Sequence, residues 1–185
     1  MYTTPLLTLT LAALSTFVSA APTDTSYNPT KTYTAPRITH TVVAGRGGLK
    51  FEPDNIVAEK GSIVEFHFLP LNHSVVESSF AAPCQPKDAN SFFSGFFPTR
   101  EGQSAEVFQI EVKDTSKPIW FYCAQNNGRH CQSGMTGVIN QNFDNQKFSL
   151  RAHREIAAGV TAPSGVQGQV EGGWRIANPN PLGGV

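Results

Sequence analysis

The sequence predicts an all-β domain, an antiparallel sandwich or barrel, with flexible extensions at both ends. Three observations predict it. Several short segments alternate apolar and polar residues with a period of two. The 16 Gly and 13 Pro fall between these segments as turn signals. No long stretch carries a helical apolar period. With 185 residues, aromatics at 10% and Phe accounting for 13 of them, the chain has material for about one core.

Residues 38–43 are β-branched and alternating, a strand signal, and Gly45-Arg46-Gly47-Gly48 is a turn. Residues 51–57 give a short extended piece with a turn inside it. In residues 63–68, Val64, Phe66 and Phe68 share one face, with Glu65 and His67 on the other, expected to be solvated. Residues 105–113 repeat the pattern, with Phe108, Ile110 and Val112 inward. Residues 119–123 are apolar throughout, as in a strand buried on both faces. Residues 137–140 close the set. The domain is therefore placed at residues 37–142. Residues 85–104 form a long connection with Phe92, Phe93, Phe96 and Phe97, expected to pack in the core, with capping of a site or docking as the other roles open to them. Residues 143–185 are expected to be weakly structured to disordered, with at most a marginal helix over 145–158.

Residues 1–20 read as a cleaved leader. Residues 6–18 are apolar apart from Thr and Ser, and Val18-Ser19-Ala20 supplies small residues at the third and first positions before a cut. Residues 21–36 are expected to be a flexible N-terminal segment. No second stretch approaches a membrane span and the C-terminus lacks an apolar tail, so neither a span nor a lipid anchor is expected. The expected location is extracellular. Lys+Arg and Asp+Glu number 14 each, which argues against nucleic acid or an anionic membrane as partner, since both need a basic surface.

Secretion makes the cysteines informative. An oxidising compartment favours one disulfide among Cys84, Cys123 and Cys131 and leaves an odd thiol. His73, Cys123, His130 and Met135 suggest where that thiol goes. Three of them lie in Cys123-x6-His130-x4-Met135, directly after the buried strand, and His73 follows another strand. Two imidazoles, one thiolate and a weak thioether are the ligand set of a type-1, or blue, copper centre. A single thiolate with a thioether favours copper over zinc. A Cys84–Cys131 disulfide would leave no unexplained thiol. A Cys84–Cys123 pair stays open from sequence alone, and would abolish the copper site.

The run Phe51-x-Pro53, Gly61, Val64-x-Phe66, His73-x-Val75, Cys84, Tyr122-Cys123 and His130-Cys131-Gln132-x-Gly134-Met135 resembles the cupredoxins, and within them the phytocyanin-like group. Asn72-His73-Ser74-Val75 with Pro118-Ile119-Trp120-Phe121-Tyr122-Cys123 is similar to the secreted fungal cupredoxin-like proteins called extracellular serine-rich proteins. The resemblance covers residues 38–142. It implies a Greek-key β-sandwich and copper on His73, Cys123, His130 and Met135. Two features depart from it. The gap of six residues between Cys123 and His130 is longer than in the phytocyanin-like group, and the serine-rich linker and anchor tail of the fungal relatives are not seen.

Asn72-His73-Ser74 is formally a glycosylation sequon. The expectation is that it is unused and that Asn72 or Ser74 braces the two ligand loops by hydrogen bonding. His40 is expected to be solvated like His67, and His153 falls in the weak C-terminal segment. No catalytic motif emerges, so an enzyme is not expected. The sequence expectation is a monomeric, secreted blue-copper protein that transfers one electron to a redox protein partner. Copper sequestration, or a metal-free scaffold acting on a cell-wall component or host partner, are the alternatives.

Overall fold

The computed structural model describes residues 37–181. The expected leader, residues 1–20, and the expected flexible segment, residues 21–36, lie outside the described residues. The strands are β1 (Thr39–Ala44), β2 (Phe51–Glu52), β3 (Asn55–Ile56), β4 (Ile63–Phe68), β5 (Leu71–His73), β6 (Val76–Ser78), β7 (Phe97–Thr99), β8 (Glu106–Glu111), β9 (Ile119–Tyr122), β10 (Thr136–Ile139) and β11 (Trp174–Ala177), with one α-helix, α1 (Leu150–Gly159), between the last two. They form a sandwich of two sheets, ordered β11-β8-β4-β1-β2 and β3-β10-β9-β6, with β5 and β7 as a separate pair. This is the all-β sandwich that the period-two segments predict, but it is not wholly antiparallel as expected.

Two pairings are parallel, β1 with β4 and β3 with β10. The chain leaves the first sheet after β2, joins the second at β3, and returns beside β1 in the same direction. Pro53 lies at that changeover, where a strand cannot continue as a ladder donor.

Between the sheets, the Phe66 ring of β4 meets the Phe121 ring of β9 edge-on at 5.3 Å, and Phe51 meets both, at 6.4 and 5.0 Å. Val42, Val64, Phe108, Ile110, Cys123 and Met135 belong to the same buried cluster. Phe92 and Phe97 join it as well, Phe97 stacked on Phe68 at 3.8 Å. Phe93 and Phe96 pack in a second cluster with Tyr122 and the disulfide cysteines. The Phe-rich connection is thus core, and it forms β7.

The structure corrects two expectations. His67 is not solvated; it is 2% exposed and Glu65 4%. Glu65 accepts from His67 Nε2 at 2.6 Å and from Gln109 Nε2 at 2.6 Å, while His67 Nδ1 contacts Gln103 Oε1. Asn178, just beyond β11, donates to the same Gln103 oxygen at 2.6 Å. The outer face of β4 is therefore covered by polar side chains satisfied among themselves, which a solvated strand face imitates in sequence.

The second correction is the C-terminal region, which is ordered through residue 181. Ser149 caps α1, its hydroxyl accepting from the Ala152 amide. Leu150, His153 and Ala157 form the buried stripe at helical spacing. That stripe has only one large apolar residue, and a ten-residue helix is marginal alone, so it forms because β9 and β10 offer a surface. Trp120 and Val138 pack on Leu150, and Tyr122 lies in the cluster with Ala157. This explains the uninterrupted apolar run of β9. Phe121 and Cys123 face the sandwich, while Trp120 and Tyr122 lie under α1 and the chain after it. Downstream, β11 adds to the edge of β8, with Trp174 opposite Gln109 and Ala177 opposite Glu106. Backbone pairing needs no apolar pattern, and Trp174 stays half exposed, so the strand has no sequence signature.

Candidate metal centre

β9 delivers Cys123 to one end of the sandwich, where its amide donates to the Met135 carbonyl at 3.0 Å. The loop between them, residues 124–135, closes on itself. The His130 amide donates to Gln125 O and the Met135 amide to His130 O, each at 3.0 Å. The tight turns use Gly128 at φ 84° and Gly134 at φ 97°, left-handed conformations that suit glycine. Cys131 bonds Cys84 with Cα atoms 5.6 Å apart, tying the ligand loop to the chain after β6. Of the two pairings the sequence left open, Cys84–Cys131 is the one formed, and Cys123 is a buried free thiol.

β5 brings His73 to the same end. Its Nε2 donates to the Pro70 carbonyl at 3.2 Å, which turns Nδ1 toward Cys123. Cys123 Sγ lies 3.9 Å from His73 Nδ1 and 3.4 Å from His130 Nδ1. One atom from each of the three residues falls within 4.8 Å of the others, and among the described residues theirs is the group with metal-holding geometry. Met135, the fourth residue the sequence singles out, is fully buried in the apolar cluster that contains Cys123.

Burial sets the protonation of this group. It lowers His73 to about 4, with His130 adding a second downward push, and it lowers His130. Both imidazoles are neutral at pH 7. Burial pushes the Cys123 thiol up, opposed by amide bonds from Gln125 and Ser74 and by the Ser74 hydroxyl. The Ser74 amide is 3.4 Å from Sγ. The residue before Cys123, Tyr122, is buried too, and its hydroxyl donates to Gly165 O at 2.8 Å.

The expected brace is Ser74, not Asn72. Ser74 Oγ accepts from the Ala124 amide at 3.0 Å, linking the His73 strand to the ligand loop. Asn72 does not share the task; its Oδ1 is buried without a hydrogen-bond partner. Sequence reasoning missed Gly45, where an added Cβ would lie 2.5 Å from His73 Nε2. Its signal was present in Gly45-Arg46-Gly47-Gly48, read only as a turn. It also missed Arg154, a helix residue that binds the backbone on both sides of Met135 and has no motif.

No family model matches the chain. Among curated proteins it is 39% identical, over 134 residues, to an extracellular serine-rich protein of Arthroderma benhamiae, aligning 71% of this chain with 49% of that one. It is 36% identical over 135 residues to a protein of the same fungus named Probable GPI-anchored cupredoxin-1, aligning 71% of this chain with 67% of that one. The chain belongs to the cupredoxin family. It spans about half the length of the serine-rich relative. Among solved structures, oxidised plastocyanin from Dryopteris crassirhizoma overlays with a TM-score of 0.37 at 23% identity, over 54% of this chain and 97% of that one. Among the described residues of this cupredoxin, no helix is long and apolar enough to cross a membrane.

Proposed function

We propose that this cupredoxin is a secreted or cell-surface type-1 copper protein that carries single electrons to and from a redox protein partner and is not itself an enzyme. The observation that carries the reading is the convergence of His73 Nδ1, His130 Nδ1 and Cys123 Sγ at one buried point. The donors fit copper. Two neutral nitrogens and one soft thiol in an apolar surround, with a thioether nearby, make a set that hard cations do not favour. His73, Cys123 and His130 would hold the ion, with Met135 as the weak fourth ligand. Bound copper supplies a one-electron couple.

The chain's own residues do the rest. Pro70 O holds His73 by its far nitrogen, so the ring presents Nδ1 without rotating. The Ser74 amide and hydroxyl stabilise a thiolate at Cys123, whose proton is released on metal binding. The disulfide and the closed ligand loop hold the donors in place without metal, which would keep rearrangement small between the redox states of a bound ion. The names of the two fungal relatives support a location outside the cell.

Titration of purified protein with Cu(II) tests this. An intense visible thiolate-to-copper band should grow to one equivalent in wild type and be absent in Cys123→Ala. A colourless wild type at stoichiometric Cu(II) sinks the reading.

A further inference from the structure

The C-terminal arm, α1 and the chain after it, binds the ligand loop along its length. Beyond the helix, Arg129 donates to Val160 O at 2.6 Å and Thr161 O at 3.3 Å, and Gln132 Nε2 donates to Ala162 O at 3.0 Å. Asn126 accepts from the Ser164 amide at 2.7 Å and donates to Ser164 O at 3.1 Å. From the helix, Arg154 Nε donates to Gly134 O at 3.1 Å. Its Nη2 donates to Thr136 O at 3.1 Å and to Asp54 Oδ2 at 2.7 Å.

The two carbonyls that Arg154 holds flank Met135. We propose that Arg154 is a positioning residue for the copper site, clamping the Met135 backbone from both sides so that a helix outside the sandwich fixes the fourth ligand. The proposal rests on the copper reading above. Three features point to this role rather than to simple helix docking. Gly134, immediately before Met135, has φ 97°, a joint with no Cβ to limit its swing. A methionine side chain is unbranched and adaptable, so its place depends on where its backbone is held. The planar guanidinium presents several donors in a fixed fork, which is what gripping carbonyls two residues apart demands. Asp54 completes the clamp. It anchors the same guanidinium, and its carbonyl accepts from the Val138 amide of β10 at 2.8 Å.

The experiment compares Arg154→Met, which keeps bulk and removes the fork, with Arg154→Lys, which keeps the charge. Amide hydrogen exchange on the copper-free proteins should show Gly134, Met135 and Thr136 exchanging about tenfold faster in Arg154→Met, with no more than partial rescue in Arg154→Lys. After Cu(II) addition, Arg154→Met should alter the shape of the visible band and the reduction potential. Adding Arg154→Met to Met135→Leu should then change the band no further, because the group it positions is gone. Unchanged exchange at these three amides overturns the proposal. So does an equal spectral change with and without Met135, which would mean that Arg154 acts through its charge or the fold at large. A wild type that stays colourless sinks the copper reading instead, and the exchange comparison still decides whether Arg154 clamps this backbone.

Discussion

Met135 and Gly45 show how single residues would set the properties of the centre. Met135 is wholly buried beside Cys123. As a soft, weak donor it would favour Cu(I). Met135→Gln should therefore keep the visible band and lower the reduction potential, while Met135→Leu should raise it. Voltammetry on both variants checks this, and unchanged potentials would make Met135 a packing residue. Gly45 acts by what it lacks. Its φ is 95°, and a Cβ there would press on His73 Nε2, the atom that donates to Pro70 O. Gly45→Ala should cost about 1–3 kcal/mol in backbone strain and contact. It should also displace the imidazole, so the same Cu(II) titration should give a weakened or shifted band. A native-like band would show that His73 moves without consequence.

At the scale of elements, α1 is firmer than the marginal helix that the sequence suggests over 145–158, and His153 is its unusual contact. The ring is fully buried, stacked on Trp120 at 4.8 Å, with Nε2 3.4 Å from Ser78 Oγ. Burial lowers His153 to about 4, an upward push from the Ser79 backbone opposing it and Arg154 adding to it. The unfolded chain thus binds a proton here near pH 6.5 that the folded chain refuses until about pH 4. The stability this gives is complete above pH 6.5 and is lost as pH falls toward 4. In copper-free protein His73 and His130 act with the same sign. Urea unfolding at pH 7 and pH 4.5 should show His153→Phe losing less stability than wild type, by on the order of 2 kcal/mol. Equal losses would mean that the helix opens before the histidine titrates.

For the molecule as a whole, the boundary at residue 142 that the strand pattern suggests leaves out part of the fold. Leu150, His153 and Ala157 cover the outer face of β9 and β10, Gly165 O accepts from Tyr122, and β11 closes the edge of β8. Residues 37–142 alone would expose Trp120 and Tyr122 and lose the polar cover over Glu65 and His67. The loss is on the order of 5 kcal/mol or more, comparable to the whole stability of a small domain. Residues 37–181 should unfold cooperatively by near-UV circular dichroism and heat, while 37–142 should show weak tertiary signal and no sharp transition. A cooperative melt for the shorter fragment would restore the boundary to residue 142.

Sequence alone marked the strands with clear alternation and singled out the candidate residues of the centre, because both are written in local pattern. Period-two burial marks β4 and β8, and a thiol, two imidazoles and a thioether can be recognised from spacing before any fold is known. Tertiary structure decided what depends on partners distant in the chain. Glu65 and His67 read as solvated because alternation reports only which face they share, not what later covers it. The arm after residue 142 read as loose because the buried stripe of its helix has one large apolar residue, and its strand joins β8 by backbone pairing and an Arg175–Glu106 ion pair rather than by an apolar pattern. Asn72 and Ser74 were equal candidates to brace the site until the fold put the Ser74 hydroxyl, and not the Asn72 amide, at the Ala124 amide. Arg154 carries no motif, since an arginine on a helix gains its meaning only from the carbonyls that packing sets before it.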